Sequence, residues 1–293
     1  MAFTAAELLQ LLQLEEIEQD LFRGTNRDLG TGRIFGGQVL AQALVAARRT
    51  VAEDRPAHSL HGYFILAGDL TVPVDYVVSR VRDGGSFTTR GVTANQHRRA
   101  IFTMSASFHR AETGPTHQAP MPDVAPPESL RPELDLIRER AADLPERLRA
   151  VLTQDRPIDV RPTDGLHPFA RHDRRPRRSY WLRALGSVGD DALHHQSILA
   201  YASDYGLLGA ALGPHGLSYR NPGLMLASLD HAIWFHRPFR MDEWLLYDFE
   251  SPVAAGARAF TRGNVFTRAG ELVASTAQEG LMRLVEVGPT RAG

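Results

Sequence analysis

Gly36-Gly37-Gln38-Val39-Leu40-Ala41-Gln42-Ala43-Leu44-Val45-Ala46-Ala47, followed after a short break by His58-Ser59-Leu60-His61-Gly62-Tyr63-Phe64, reads as an alanine-rich helix that runs into a strand. The same order returns later in the 293-residue chain. There His194-His195-Gln196 opens a comparable stretch, 197–208, and Ala227-Ser228-Leu229 leads into a strand ending near Phe235. Residues 73–81 match 242–250 in the same way. Each half then closes with a two-strand unit: 87–95 and 100–110 across Gln96 to Arg99, and 257–267 and 271–285 across Ala269-Gly270. A repeat of this kind is one structural unit used twice. Each unit is one central helix followed by several long strands rich in Val, Phe, Thr and Tyr, which places the chain in the α+β class. Helices are too few for a doubly wound parallel sheet, and the connections suit hairpins rather than crossovers. The simplest match is a tandem double hotdog, each half an antiparallel sheet wrapped around its helix.

Between the halves the composition changes. Pro115, Pro120, Pro122, Pro126 and Pro127 crowd together, and 133–151 then alternates charges with Leu134, Leu136, Ile137, Leu144 and Leu148. That reads as a Pro-rich linker leading into a surface helix. The expected division is an N-terminal domain over 1–113, the linker and surface helix over 114–154, and a C-terminal domain over 155–293. Ahead of the first unit, Thr4-Ala5-Ala6-Glu7 has capping-box spacing before Leu8, Leu9, Leu11, Leu12 and Leu14, so a short N-terminal helix is expected.

Charge is nearly balanced, 33 basic against 34 acidic residues, which gives no global field for nucleic acid or an anionic membrane. All the basic residues are Arg, so Schiff-base chemistry and phosphate cradling by Lys are excluded. The chain has no cysteine, which removes disulfides, thiolate metal sites and cysteine nucleophiles and fits a reducing cytoplasm. The start, Met1-Ala2-Phe3-Thr4, lacks the pattern of a secretory signal, and the end, Thr290-Arg291-Ala292-Gly293, is not a peroxisomal address. No stretch approaches the roughly 20 apolar residues of a membrane span.

Asp204 is the most informative polar residue. Read as helical, its neighbours three and four positions away are Ala200, Tyr201, Leu207 and Leu208, so a carboxylate sits on an apolar face. Such a group needs polar partners or a raised pKa, and an Asp bonded to a nearby loop suits the pattern equally well. Gln278 shares a strand face with Leu272, Ala274, Thr276 and Met282. A buried amide there could hold a water without titrating, while a partly exposed strand Gln also fits. Ser228 begins a strand and has a counterpart in Ser59. No G-x-S-x-G elbow supports it as a nucleophile, which leaves a hydroxyl that orients a neighbour or one that satisfies the backbone. On the repeat alignment, Asp204 falls at Ala46 and Gln278 at Ser107. His58, His61, His167, His172, His194, His195, His231 and His236 show no metal-ligand spacing. Gly36-Gly37 matches no nucleotide fingerprint and suits close approach at a helix N-terminus, where free N–H groups face a carbonyl or oxyanion. Arg174, Arg175, Arg177 and Arg178 form the one dense basic cluster, either a solvated loop or a contact for a nucleotide 3′-phosphate.

Taken together, the segments resemble the acyl-CoA thioesterase II family of double-hotdog enzymes. The resemblance runs along nearly the whole chain. It rests on Ile34-Phe35-Gly36-Gly37-Gln38-Val39, His58 to Phe64, Arg82-Asp83-Gly84-Gly85-Ser86-Phe87 and Ile101 to Phe108 in the first half. In the second it rests on Tyr201-Ala202-Ser203-Asp204, Leu229 to Pro238, Glu243 to Tyr247 and Val273 to Gly280. It implies a catalytic group of Asp204, Ser228 and Gln278, the middle position being Thr in many members. It also implies hydrolysis of fatty acyl-CoA to fatty acid and CoA by direct attack of water, with no cofactor and no metal. An oxyanion donor is expected near the start of the second central helix, around His194 to Gln196. Acyl-CoA and CoA are the implied partners, with no nucleic acid and no membrane span, and a homodimer or homotetramer is the expected assembly. Two alternatives remain: an enoyl-thioester hydratase or dehydratase on the same fold, and a non-catalytic acyl-CoA sensor.

Overall fold

The computed structural model describes residues 3–30, 32–144, 146–167 and 174–285; His172 and the two chain termini read above lie outside these. Helix α1 (Ala5–Leu12) starts on the expected capping box. Glu7 N–H donates to Thr4 Oγ1 at 3.2 Å, and Thr4 N–H donates to the Glu7 carboxylate at 2.8 Å. The central helices are α2 (Gly36–Arg48) and α5 (Ala192–Ala202). Every α2 residue from Gly37 to Ala47 is buried, as is α5 from His195 to Ala202. The alanines let these two helices pack against each other, and Gly37 marks the closest approach. A Cβ at Gly37 would lie 2.3 Å from the carbonyl oxygen of Tyr201, so no side chain fits there.

The strands are β1 (Glu15–Glu18), β2 (Leu21–Gly24), β3 (Ala57–Phe64), β4 (Val74–Asp83), β5 (Phe87–Gln96) and β6 (Arg99–His109) in the first half. In the second they are β7 (Ile158–Pro162), β8 (Arg177–Ala184), β9 (Leu224–Ser228), β10 (Asp230–Phe235), β11 (Leu245–Ala255), β12 (Arg258–Thr267) and β13 (Leu272–Leu284). All thirteen form one sheet, in the order β1-β2-β4-β5-β6-β3-β10-β13-β12-β11-β8-β7, with β9 paired to β13. The halves join at β3 and β10, where Ser59 faces Trp234 and Tyr63 faces Asp230. The fold is thus the expected α+β double hotdog, its two helices wrapped by one continuous antiparallel sheet. The hairpins close where turn chemistry placed them. His97 and Arg98 carry positive φ between β5 and β6, and Gly270 carries φ +87° between β12 and β13.

Three expectations change. The second central helix starts at Ala192 and stops at Ala202, rather than running 197–208; Gly206 at φ +67° turns the chain before α6 (Gly209–Leu212). The strand read through 227–235 is two strands, because Leu229 breaks the ladder between β9 and β10. Its N–H bonds Glu279 O at 2.9 Å, while Glu279 N–H bonds Asp230 Oδ1 at 2.6 Å. The stretch 133–151 is two helices, α3 (Glu133–Glu139) and α4 (Glu146–Leu152). The sequence has a proline at 145, and a proline in a helix interior removes a donor and clashes with the preceding turn. α3 also buries Glu133, whose carboxylate accepts from Arg156 at 2.8 Å. The Pro-rich segment lies against the second half. Trp181 Nε1–H donates to Ala125 O at 2.9 Å, and Met121, Val124 and Leu130 cover Trp181, Trp244, Leu246 and Phe266.

Candidate active site

Asp204 stands just past the end of α5, with Ser203 as the helix C-cap. Its carboxylate is reached from three directions. Gln278 on β13 donates from Nε2 to Oδ1 at 2.7 Å, and Ser228 at the end of β9 donates from Oγ to Oδ1 at 3.3 Å. From the other half, the Gly37 N–H in the first turn of α2 donates to Oδ2 at 3.1 Å. Gln278 Nε2 also donates to Ser228 Oγ at 3.0 Å, so the three side chains form one closed group. All three residues singled out in the sequence meet at this point.

Local structure explains the convergence. β13 alternates Ala274, Thr276, Gln278 and Gly280 onto the buried face, and Gln278 is 1% exposed. The break at Leu229 lets Ser228 pair with Gly280 and turn toward Asp204, whereas Ser59 lies within the single strand β3 and pairs with Ser107. The N-cap of α2 is Phe35, which offers no side-chain bond to the first turn; there the Gly37 N–H is left for Asp204, while the Gln38 N–H bonds Phe35 O at 3.0 Å. Gly36 keeps that entrance clear, since a Cβ there would lie 2.9 Å from Asp204 Oδ2 and 3.0 Å from the Phe64 ring. Burial pushes the Asp204 carboxyl up to about 6, against the lowering effect of its hydrogen bonds from Gln278, Gly37 and Ser228. Gln278 Oε1 is buried and has no protein partner. With both donors of the amide committed, the carbonyl is the group left to meet a ligand or water.

The equivalent place in the first half is blank. Gly62 and Ile233 occupy matching inward positions; Gly62 pairs with Met104 and Ile233 with Thr276. Two residues further on, Ala106 therefore stands where Gln278 does, and Ser107 faces the opposite side of the sheet. The alignment by sequence motif was off by one because the break at Leu229 shifts the register. A cavity of about 740 Å³ survives at that end, lined by Ala57, His58, His195, Gln196 and Phe235 among others. The α5 N-terminus is closed by its own Asp191, which accepts from Leu193 N–H at 2.8 Å. That terminus is also ten residues from Asp204, about 15 Å along a helix, so the oxyanion donors expected at His194 to Gln196 are at the wrong end. The helix terminus next to Asp204 is the first turn of α2.

Several of the other candidates make contacts within the fold. Arg177, half exposed, pairs with Asp248 at 2.6 Å, and buried Arg178 pairs with Asp164 at 3.1 Å and lies over the Tyr180 ring. His61 bonds Asp230, His195 bonds Gly189 O and the Met241 N–H, and His236 bonds Ser275. Among the described residues no group of three or more His, Cys, Asp or Glu is arranged to hold a metal ion, and no helix is long and apolar enough to cross a membrane.

Sequence comparison decides the family. Residues 148–281 match the acyl-CoA thioesterase family, and residues 25–109 match the acyl-CoA thioesterase N-terminal domain. Human acyl-coenzyme A thioesterase 8 is 42% identical over 94% of this chain and 88% of its own length. The chain belongs to the acyl-CoA thioesterase family. Acyl-CoA thioesterase 2 of Haemophilus influenzae is 40% identical, over 95% of this chain and 98% of its own. The crystal structure of acyl-CoA thioesterase II TesB2 from Mycobacterium marinum superposes with a TM-score of 0.78 at 42% identity, covering 95% of this chain and 99% of that one. Two features of this acyl-CoA thioesterase escaped the sequence. One is that the first half supplies Gly37 N–H to Asp204. The other is the buried His231, whose only sequence signal is a polar residue on an inward strand position.

Proposed function

We propose that the chain hydrolyses fatty acyl-CoA to a free fatty acid and CoA at a single site built on Asp204, Ser228 and Gln278. The observation that carries this reading is the closed hydrogen-bonded group of these three side chains, held against the first turn of α2. In the reaction, Gln278 Oε1 accepts a hydrogen bond from water, and the Asp204 carboxylate takes the proton as the water oxygen bonds to the thioester carbon. The oxygen that gains charge is held by the Gly36 N–H at the start of α2, one such donor being worth about 3 kcal/mol. The C–S bond then breaks, and Asp204 returns its proton to the departing CoA thiolate. Ser228 steadies Oδ1 throughout, and no covalent enzyme intermediate is formed.

A hydratase would require an imidazole beside the acid. The partners of Asp204 are Gln278, Ser228 and Gly37, and His231 bonds the neighbouring Ser203 instead. The deciding experiment measures thiol release from acyl-CoA across chain lengths, with enoyl-CoA absorbance in parallel, for the unaltered chain and Asp204→Asn. The expected result is thiol release that falls at least about 100-fold in the variant while KM holds. Full activity in the variant, or binding without thiol release by the unaltered chain, overturns the reading. Tyr63 and Trp234, exposed on the outer face of the sheet where the halves join, support self-association as a homodimer or homotetramer, which light scattering checks. A cysteine-free chain suits a reducing compartment, and we place the enzyme in the cytoplasm.

A further inference from the structure

We propose that His231 is a positioning residue for this hydrolytic site, acting on Asp204 through the hydroxyl of Ser203. The inference rests on the reading of Asp204 as the acid that activates water. Ser203 immediately precedes Asp204, is fully buried and is held on three sides. Its N–H bonds Leu199 O at 2.8 Å, its carbonyl accepts from Tyr247 OH at 3.2 Å, and its Oγ lies 2.9 Å from His231 Nε2.

The hydrogen count sets the direction of the last bond. Ser203 Oγ donates its one hydrogen to Ala200 O at 3.0 Å, so His231 must supply the hydrogen between them and carries its proton on Nε2. Burial keeps the ring neutral, its pKa down at about 4, with Asp230 acting to raise it and His61 to lower it. A neutral donor inside a core fixes geometry without adding a charge beside the acid.

The network returns to the site from the opposite side. Tyr247 OH also meets Thr276 Oγ1 at 2.8 Å, two residues before Gln278 on the same face of β13. Ala232 pairs with Ala277, so continuing that register sets His231 across from Gln278. The turn bearing Asp204 and the strand bearing Gln278 are therefore tied to the same buried frame. Asp204 has left the helix, and the backbone there is held by the turn bond from Tyr205 N–H to Ala202 O at 2.9 Å together with these contacts on Ser203.

The test is steady-state kinetics with thermal melting. His231→Leu removes the donor, and His231→Gln retains an amide N–H close to the place of Nε2. His231→Leu is expected to lower kcat 10- to 100-fold with KM within about threefold, and His231→Gln to recover most of the loss. Ser203→Ala should reproduce the kcat defect, and the double variant His231→Leu with Ser203→Ala should be no worse than the poorer single. A drop in kcat of less than twofold in His231→Leu, equal defects in Leu and Gln variants of equal melting temperature, or losses that multiply in the double variant each overturn the proposal. Should His231→Leu not fold, Ser203→Ala and His231→Gln decide alone: a kcat defect confined to Ser203→Ala supports it, and unchanged kcat in Ser203→Ala overturns it. The hydrolytic reading is judged separately, by thiol release from the unaltered chain and its loss in Asp204→Asn.

Discussion

At the scale of single residues, the proposed chemistry needs a buried carboxylate that is ionised near neutrality. With Asp204 at about 6, kcat should fall on the acid side with an apparent pKa near 6, as the proton acceptor is lost, and level off above it. A pH–rate profile checks this. The same shift has a stability consequence of opposite sense. The folded state holds the Asp204 proton more tightly than the unfolded chain, so stability is greatest below the ordinary carboxylate range of about 4 and declines as pH rises through 6. Relative to Asp204→Asn, the unaltered chain should lose up to about 3 kcal/mol between pH 4 and pH 7, measurable by denaturant unfolding at each pH. Ser228 gives a milder test. Ser228→Thr keeps the hydroxyl and gains a β-branch that restricts χ1, so activity should hold, while Ser228→Ala should cost about tenfold in kcat by removing one bond to Oδ1. Asp204 was visible in the sequence as an acid among apolar neighbours. Its Gly37 partner was not, because a bond between residues 167 positions apart leaves no local pattern.

At the scale of elements, the repeat and the hairpins were legible because period-two alternation and turn residues act within a few positions. Helix ends were less so. The apolar run after Tyr201 looks helical throughout, and only the left-handed Gly206 together with the contacts on Ser203 ends α5 early enough to free Asp204. The break at Leu229 depends on the cross-strand partner Glu279 and has no signature of its own. Close packing of α2 on α5 supplies a prediction here. Gly37→Ala forces a Cβ to within 2.3 Å of Tyr201 O and should either separate the helices, at a cost of about 1–3 kcal/mol or more, or prevent folding. Thermal melting reads the first outcome and soluble yield the second. Separation would also withdraw the N–H that holds Asp204.

At the scale of the whole molecule, the site is divided between halves. Asp204, Ser228 and Gln278 come from the second, while the helix terminus that receives the carboxylate comes from the first, and β3 pairs directly with β10. The second half produced alone, 155–293, should lack thioesterase activity, because β10 would lose its β3 neighbour and Asp204 its Gly37 donor. Adding the first half as a separate chain should restore part of it, read as thiol release. The composition of the sequence excluded whole classes of chemistry, but it could not show which half serves which, since that depends on how the helices are placed.

The blank counterpart site, with Ala106 where the amide would stand, has a meaning for descent. Two identical subunits must carry every catalytic group on one sequence, so neither end of the pair can change without the other. Once two copies are joined in one chain, each is inherited with its own codons. One copy can then drift toward scaffolding while the other is held to its chemistry by selection, and the 740 Å³ hollow beside α5 lies at the end that lacks the acid and the amide.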